Sequence, residues 1–292
     1  MAIPFIREFD PAYGQSVRLS PQITRVVADN PGPFTFYGTG VYIVGESDTV
    51  TVIDPGPDTP NHRKALWKAL EGRQVAAILL THHHLDHTPL ARPLATEHSC
   101  PVYGMSVRDS SDFETDILLD EGGDTDFRPD VEVADGDTLP GGLTALHTPG
   151  HTSNHLCFAL PSEDALFTGD HIMGWSTTVV VPPDGSMRDF MGSLERVRAG
   201  VYSTLYPTHG APIPGPAAFL DAYRDHRLGR EAKVVTALQE LGGGEVGDLV
   251  AHVYADTDRQ LWPAASQSLL AHLIWLEEKG QAARSGKRWR LT

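Results

Sequence analysis

Short apolar runs, broken by glycine, proline and acidic turns, dominate the first two thirds of the chain. VYIVG (41–45) and VTVID (50–54) read as neighbouring strands joined through the turn residues 46–48. The stretch 60–72 has apolar residues at Leu66, Trp67 and Leu70 and ends on Gly72, the spacing and stop of a helix. VAAILL (75–80) is continuously apolar and predicts a buried strand. LTALH (143–147), HLCFAL (155–160), ALFTG (165–169) and STLYPT (203–208) predict further strands. Beyond PIPGP (212–216) the period changes. Residues 217–241, 245–255 and 265–280 predict three helices, and the final twelve residues two short strands around Ser285–Gly286. Three helices and a hairpin suggest a winged-helix module. The expected division is a domain over 1–215 and a C-terminal one over 216–292.

Composition narrows the class. Hydrophobic residues make up 40% of 292, enough for a core, and 28 Gly with 22 Pro imply many tight loops. No apolar run approaches the roughly 18–20 residues of a membrane span. The opening residues MAIPFIREFDPAYG predict no secretory leader, and Cys100 and Cys157 form no pair motif. A protein of a reducing cytoplasm with two ordinary thiols is expected. The net charge of −15 is concentrated: residues 109–137 hold twelve acids and one arginine. That segment predicts a solvated excursion with a short helix near Ile117–Leu119. The last fourteen residues instead carry five Lys or Arg and no acid, the one candidate surface for a polyanion.

The candidate chemistry begins where the buried strand ends, at THHHLDHTP (81–89). His82 and His84 are two apart and point the same way; His83 points oppositely; Asp86 and His87 follow one turn later. Such a cluster offers two ligands to each of two metal sites and completes neither, because zinc takes four or five ligands. Three later motifs place a polar residue at an apolar strand end beside glycine: His151 in HTPGHTSNH, Asp170 in FTGDH and His209 in YPTHG.

In this order, and with DPG at 54–56, the motifs HxHxDH, TPGHT, TGD and PTHG resemble those of the metallo-β-lactamase superfamily over roughly residues 20–212. The resemblance implies an α/β chain folded as an αββα sandwich with a two-metal site on one edge. It implies one site of His82, His84 and His151, another of Asp86, His87 and His209, Asp170 bridging both, and Asp54 orienting a ligand histidine. Two zinc ions are the expected cofactors, with iron or manganese as alternatives. Dications held by such a set acidify a shared water, so the expected nucleophile is a metal-bridging hydroxide rather than a side chain. GDHIMGWSTTVVVPPDG (169–185) and the start of the C-terminal module at 226–231 are similar to the lactamase-beta-two-like subgroup, whose mitochondrial member is a single-strand endoribonuclease. Many members carry a small Ser-Gly-Gly-like run after the last histidine of the cluster; here Thr88-Pro89-Leu90 follows, which puts the pocket floor in question.

Asp86, His155 and His171 are the candidate catalytic residues, the two histidines as proton donors to the leaving group. Trp175 is a candidate for the pocket wall. The expected activity is binuclear metal-dependent hydrolysis of a small ester, thioester or lactone, with single-stranded RNA as the alternative substrate, motivated by the basic end with Trp289. A β-lactam fits the chemistry but not the missing leader. A nucleic-acid-binding protein with a structural metal ranks last, since structural zinc sites are closed and mononuclear. The C-terminal module is expected to cover the pocket or pair two chains as a homodimer, without membrane contact.

Overall fold

The computed structural model describes residues 2–107 and 122–292; the helix expected near Ile117–Leu119 lies outside them. Two sheets face each other. The first runs, in spatial order, β1 (Ser16–Arg18), β2 (Ile23–Val27), β3 (Gly40–Val44), β4 (Thr49–Ile53), β5 (Gln74–Leu79), β6 (Val102–Gly104) and β7 (Val131–Glu132). It is antiparallel to β4 and parallel beyond. The second runs, in reverse spatial order, from β8 (Thr138–Leu139) through β9 (Leu143–His147), β10 (Leu156–Leu160), β11 (Ala165–Gly169) and β12 (Thr204–Pro207) to β13 (Ile213–Pro214). Its only parallel pair is β11 with β12.

Strand alternation divides the core. On β3, Tyr42 and Val44 face Phe158 and Phe167 of the opposing sheet, whereas Val41 and Ile43 face outward. The outward residues are covered by α1 (Pro60–Leu70) and α2 (Ala91–His98), through Leu66, Leu70, Leu94 and Ala95. The outer face of the second sheet, with Cys157, Leu166 and Leu205, is covered by α3 (Met187–Ala199) and by α4 (Ala217–Leu241). Helix, sheet, sheet, helix is the resulting order. Pro89 sits in the turn before α2.

The expected boundary at 216 falls at the start of α4, a 25-residue helix that serves two cores. Phe219, Leu220 and Tyr223 pack on the sandwich; Val234, Ala237 and Leu238 pack with α5 (Val246–Val253), α6 (Trp262–Glu278) and the hairpin β14 (Ala282–Ser285)–β15 (Arg288–Leu291). Positions 219, 220, 223, 227, 234, 237 and 238 recur at helical spacing, so one face of the helix serves both cores, with Arg227 interrupting its apolar stripe. Trp289, expected at an accessible basic end, is only 1% exposed and fills the small core. Its ring is unavailable for stacking on a base. No helix among the described residues is long and apolar enough to cross a membrane.

Candidate metal centre

Five segments leave their strands at one edge of the sandwich. β4 delivers Asp54, β5 the 82–87 cluster, the β9–β10 connection His151, β11 Asp170 and β12 His209. Backbone bonds lace the sheets together there, Leu156 N–H donating to Thr81 (2.7 Å) and Gly40 to Thr208 (2.8 Å), while Thr208 donates to Gly169 (3.2 Å) within the second sheet. Two glycines permit close approach. A Cβ on Gly150 would lie 2.3 Å from the Cα of Phe190, and one on Gly169 2.6 Å from His155 Nε2; both glycines have positive φ.

The structure brings all seven expected ligand residues together. Three sets have ligand atoms within 4.8 Å of one another: His82, His84, His151; Asp86, His87, His209; and His82, His87, Asp170. Asp170 reaches both outer sets, with its Oδ2 3.8 Å from His151 Nε2 and 3.4 Å from His209 Nε2. His87 and His209 each place Nε2 3.2 Å from Asp86 Oδ2, and His84 presents Nδ1 3.2 Å from His151 Nε2.

The far side of each ring shows how these atoms are aimed. His87 Nδ1–H donates to Asp54 Oδ2 (2.9 Å), as expected of Asp54. Thr81 gives its hydroxyl proton to Asp54 (2.7 Å) and so accepts from His82 Nδ1 (3.0 Å). His151 donates to the carbonyl of Val179 (2.8 Å) and His209 to that of Gly38 (3.1 Å). With Nδ1 carrying the proton, Nε2 keeps its lone pair for the centre. His82 Nε2, His87 Nε2 and Asp170 Oδ1 are buried and meet no hydrogen-bond partner. Buried polar atoms without partners are costly, and a cation among them satisfies all three. Burial opposes charge on every group here. Yet Asp86 and Asp54 raise His87 well above the ordinary imidazole value, and Asp170 with Asp86 raises His209 to about 10. The residues present fit divalent cations.

His155 and His171 do not reach the cleft, a correction to their expected role. Both are fully buried. His155 accepts the backbone N–H of Asp170 at Nε2 (3.1 Å) and contacts Thr148 Oγ1 at Nδ1 (2.9 Å), so it positions the Asp170 segment. His171 packs its ring 4.9 Å from that of Phe190, and burial holds its pKa down to about 3. His83 turns away and bonds Asn154 Oδ1 (3.0 Å).

Several supporting residues escaped the sequence reading. Thr39 donates to Asp86 Oδ2 (3.1 Å) and is bonded in turn by Asn30 (3.0 Å). Thr178 bonds the carbonyls of Asp170 (2.8 Å) and His171 (2.9 Å) and gives its N–H to Tyr223 Oη of α4 (2.6 Å). Arg227 caps the Thr178 carbonyl from the same helix. Tyr223 and Arg227 are four apart, a same-face spacing, but nothing local ties that face to Thr178.

Above the centre lies a cleft of about 450 Å³ including its mouth. Pro33, Phe34, Met173, Trp175 and Val179 form apolar walls. Trp175 stacks on Phe36 at 4.7 Å and 7°. Among the described residues, the titratable ones lining the cleft, His84, Asp86, His151, Asp170 and His209, all belong to the ligand set, and no Lys or Arg lines it.

The chain belongs to the metallo-β-lactamase superfamily, whose model matches residues 35–209; a β-lactamase-associated winged helix domain matches 246–289. It is similar to a β-lactamase-like protein 2 homolog of Caenorhabditis elegans, 32% identical over 82% of this chain and 79% of that protein. It is also similar to an atrochrysone carboxyl ACP thioesterase of Aspergillus chevalieri, 34% identical over 76% of this chain and 68% of the other. In fold it resembles the crystal structure of a β-lactamase domain protein from Burkholderia ambifaria. That match has a TM-score of 0.81 at 19% identity and covers 98% of this chain and 96% of that one. The superfamily, the hydrolase class and the His/Asp site for metal ions follow.

Proposed function

We propose that the chain is a thioesterase with a two-cation centre, acting on small acyl groups. The observation that carries this reading is the make-up of the cleft. Among the described residues, every titratable side chain lining it is a prospective ligand, and His155 and His171 are shut away. Among the described lining residues no free acid remains to protonate a departing group. An alkoxide or amide anion, with a conjugate acid near the pKa of water, about 15.7, needs such a donor. A thiolate, with a pKa of about 8.5, leaves without one. A relative named as an acyl-carrier thioesterase supports the same class.

When bound, divalent cations would supply Lewis-acid chemistry, polarising a carbonyl and acidifying water. His82, His84 and His151 would hold one, Asp86, His87 and His209 the other, with Asp170 between, and zinc suits this nitrogen-rich set. The chain's own residues do the rest. Asp54, Thr81 and the carbonyls of Gly38 and Val179 fix the imidazole tautomers, while Thr39 holds Asp86. Pro33, Phe34, Met173 and Trp175 exclude bulk water from the acyl group and give it apolar contact. In hydrolysis the carbonyl carbon gains a C–O bond from water and loses its C–S bond; one water proton goes to solvent and the sulfur departs as thiolate.

The competing substrate, single-stranded RNA, needs cations near the scissile phosphodiester and rings for its bases. Among the described residues the lining carries no Lys or Arg, and Trp289 is buried. The test sets an acyl thioester panel against single-stranded RNA, each with an Asp86→Ala control. Thioester turnover that vanishes in the control supports the reading. RNA cleavage that vanishes there, with no thioester cut, overturns it.

A further inference from the structure

A second depression adjoins the metal cleft and shares Pro33, Phe34, Ser176, Thr177 and Val179 with it. It runs between the sandwich and the C-terminal module, and its far wall includes His226, Arg227 and Arg230 of α4 with Tyr254, Thr257 and Ser268. Among the described residues no Asp or Glu lines it. In a chain of net charge −15 that is an unusual stretch of surface. Both arginines are held by neutral groups. Arg227 is 3% exposed, donates to the Thr178 carbonyl, lies over the ring of Phe190 at 4.7 Å, and leaves its Nε–H without a partner. Arg230 is half-buried, donates one N–H to the Val253 carbonyl (3.1 Å) and stacks over Tyr254 at 4.2 Å. Neither meets a carboxylate among the described residues. Guanidiniums placed this way, planar and preorganised on aromatic faces, suit a phosphate. The hydroxyls of Ser176, Thr177, Thr257 and Ser268 add donors along the path.

We propose that this groove is the leaving-group subsite. It takes the phosphate-bearing arm of a thiol carrier, with Arg230 pairing the phosphate above the buried charge of Arg227, while the acyl carbon stays over the metal centre. The assignment rests on the thioesterase reading for the bond that is cut, but the anion subsite itself is read by binding alone. The structural reason is continuity. A substrate wide enough to touch both sites lies across the shared 176–179 wall without crossing bulk solvent.

Calorimetry on the metal-loaded full chain tests it, with pantetheine, 4′-phosphopantetheine and coenzyme A as probes. Both phosphate-bearing probes are expected to bind at least about tenfold more tightly than pantetheine, the effect of one charge-assisted pair. Arg230→Ala removes most of that margin, Arg230→Lys restores part of it, and Arg224→Ala keeps it. Coenzyme A binding well above 4′-phosphopantetheine assigns the arm to a nucleotide carrier; equal binding assigns it to a carrier-attached phosphopantetheine. Pantetheine binding as tightly as its phosphate, or a margin that survives Arg230→Ala, overturns the subsite. So does RNA cleavage lost in Arg230→Ala, which makes the groove a nucleic-acid path. Failure of this proposal is separable from failure of the thioesterase reading. Turnover of a phosphate-free N-acetylcysteamine thioester, without the binding margin, sinks the subsite alone.

Discussion

The metal centre and the groove beside it share a wall yet are built from opposite charges. In the centre, Asp86 and Asp170 lie within 3.2–3.8 Å of imidazoles whose outer nitrogens are tied to carbonyls and carboxylates. In the groove, Arg227 and Arg230 rest on aromatic faces, with no acid on the lining among the described residues. The first arrangement raises the affinity of its nitrogens and oxygens for cations; the second leaves guanidinium charge uncompensated and open to anions. A substrate spanning both would feel each end drawn to its own site, a device for register as much as for affinity. Thr178 joins them: its hydroxyl serves the carbonyl of Asp170 and its carbonyl serves Arg227.

The contrast can be broken most severely at the shared carboxylate. Asp170→Asn is expected to lower thioester kcat by about a thousandfold and to cut bound metal, measured by elemental analysis, by about half. Retention of full metal and activity would remove Asp170 from between the two ligand sets. Asp54→Asn leaves every ligand in place and disturbs only the aim of His87. Metal affinity should fall by about 10–100-fold, with a smaller change in fold stability. Chelator competition reads the difference, and an unchanged affinity would reduce Asp54 to packing.

A titration sharpens the groove's side of the comparison. His272, wholly buried in α6 with neither ring nitrogen bonded, has its pKa pulled down to about 3, first by burial and then by Arg227 and Arg230. The unfolded value is near 6.5. Between these limits the unfolded chain binds one more proton, so this contribution to stability is complete above about pH 6.5. It is lost as pH falls towards 3, by up to about 1.4 kcal/mol per unit. His272→Gln should flatten the dependence of denaturant midpoint on pH in that window; an unchanged slope would mean other groups carry it. Smallest is the effect of salt. Raising ionic strength from about 0.05 to 0.5 M should increase KM for a coenzyme A thioester severalfold and hardly move that for its phosphate-free analogue. Equal responses would deny the groove its charge.

Much of this was legible along the chain because it depends on local spacing. The periods of the apolar runs located the strands and the three C-terminal helices, with α4 at 217–241. The order of His82, His84, Asp86, His87, His151, Asp170 and His209 marked a metal site, since each sits where a strand ends and only a few residue types bind cations. Tertiary structure decided what local spacing leaves open. It turned His155 and His171 inward, though each stands beside a motif no less conspicuous than those of the ligands. It buried Trp289 in a core that the hairpin alone could not foretell. It set Thr178 against Arg227, 49 positions away, and so made one groove from two modules. The direction of a side chain leaving a strand end is chosen by what packs behind it, and that partner comes from wherever the fold returns the chain.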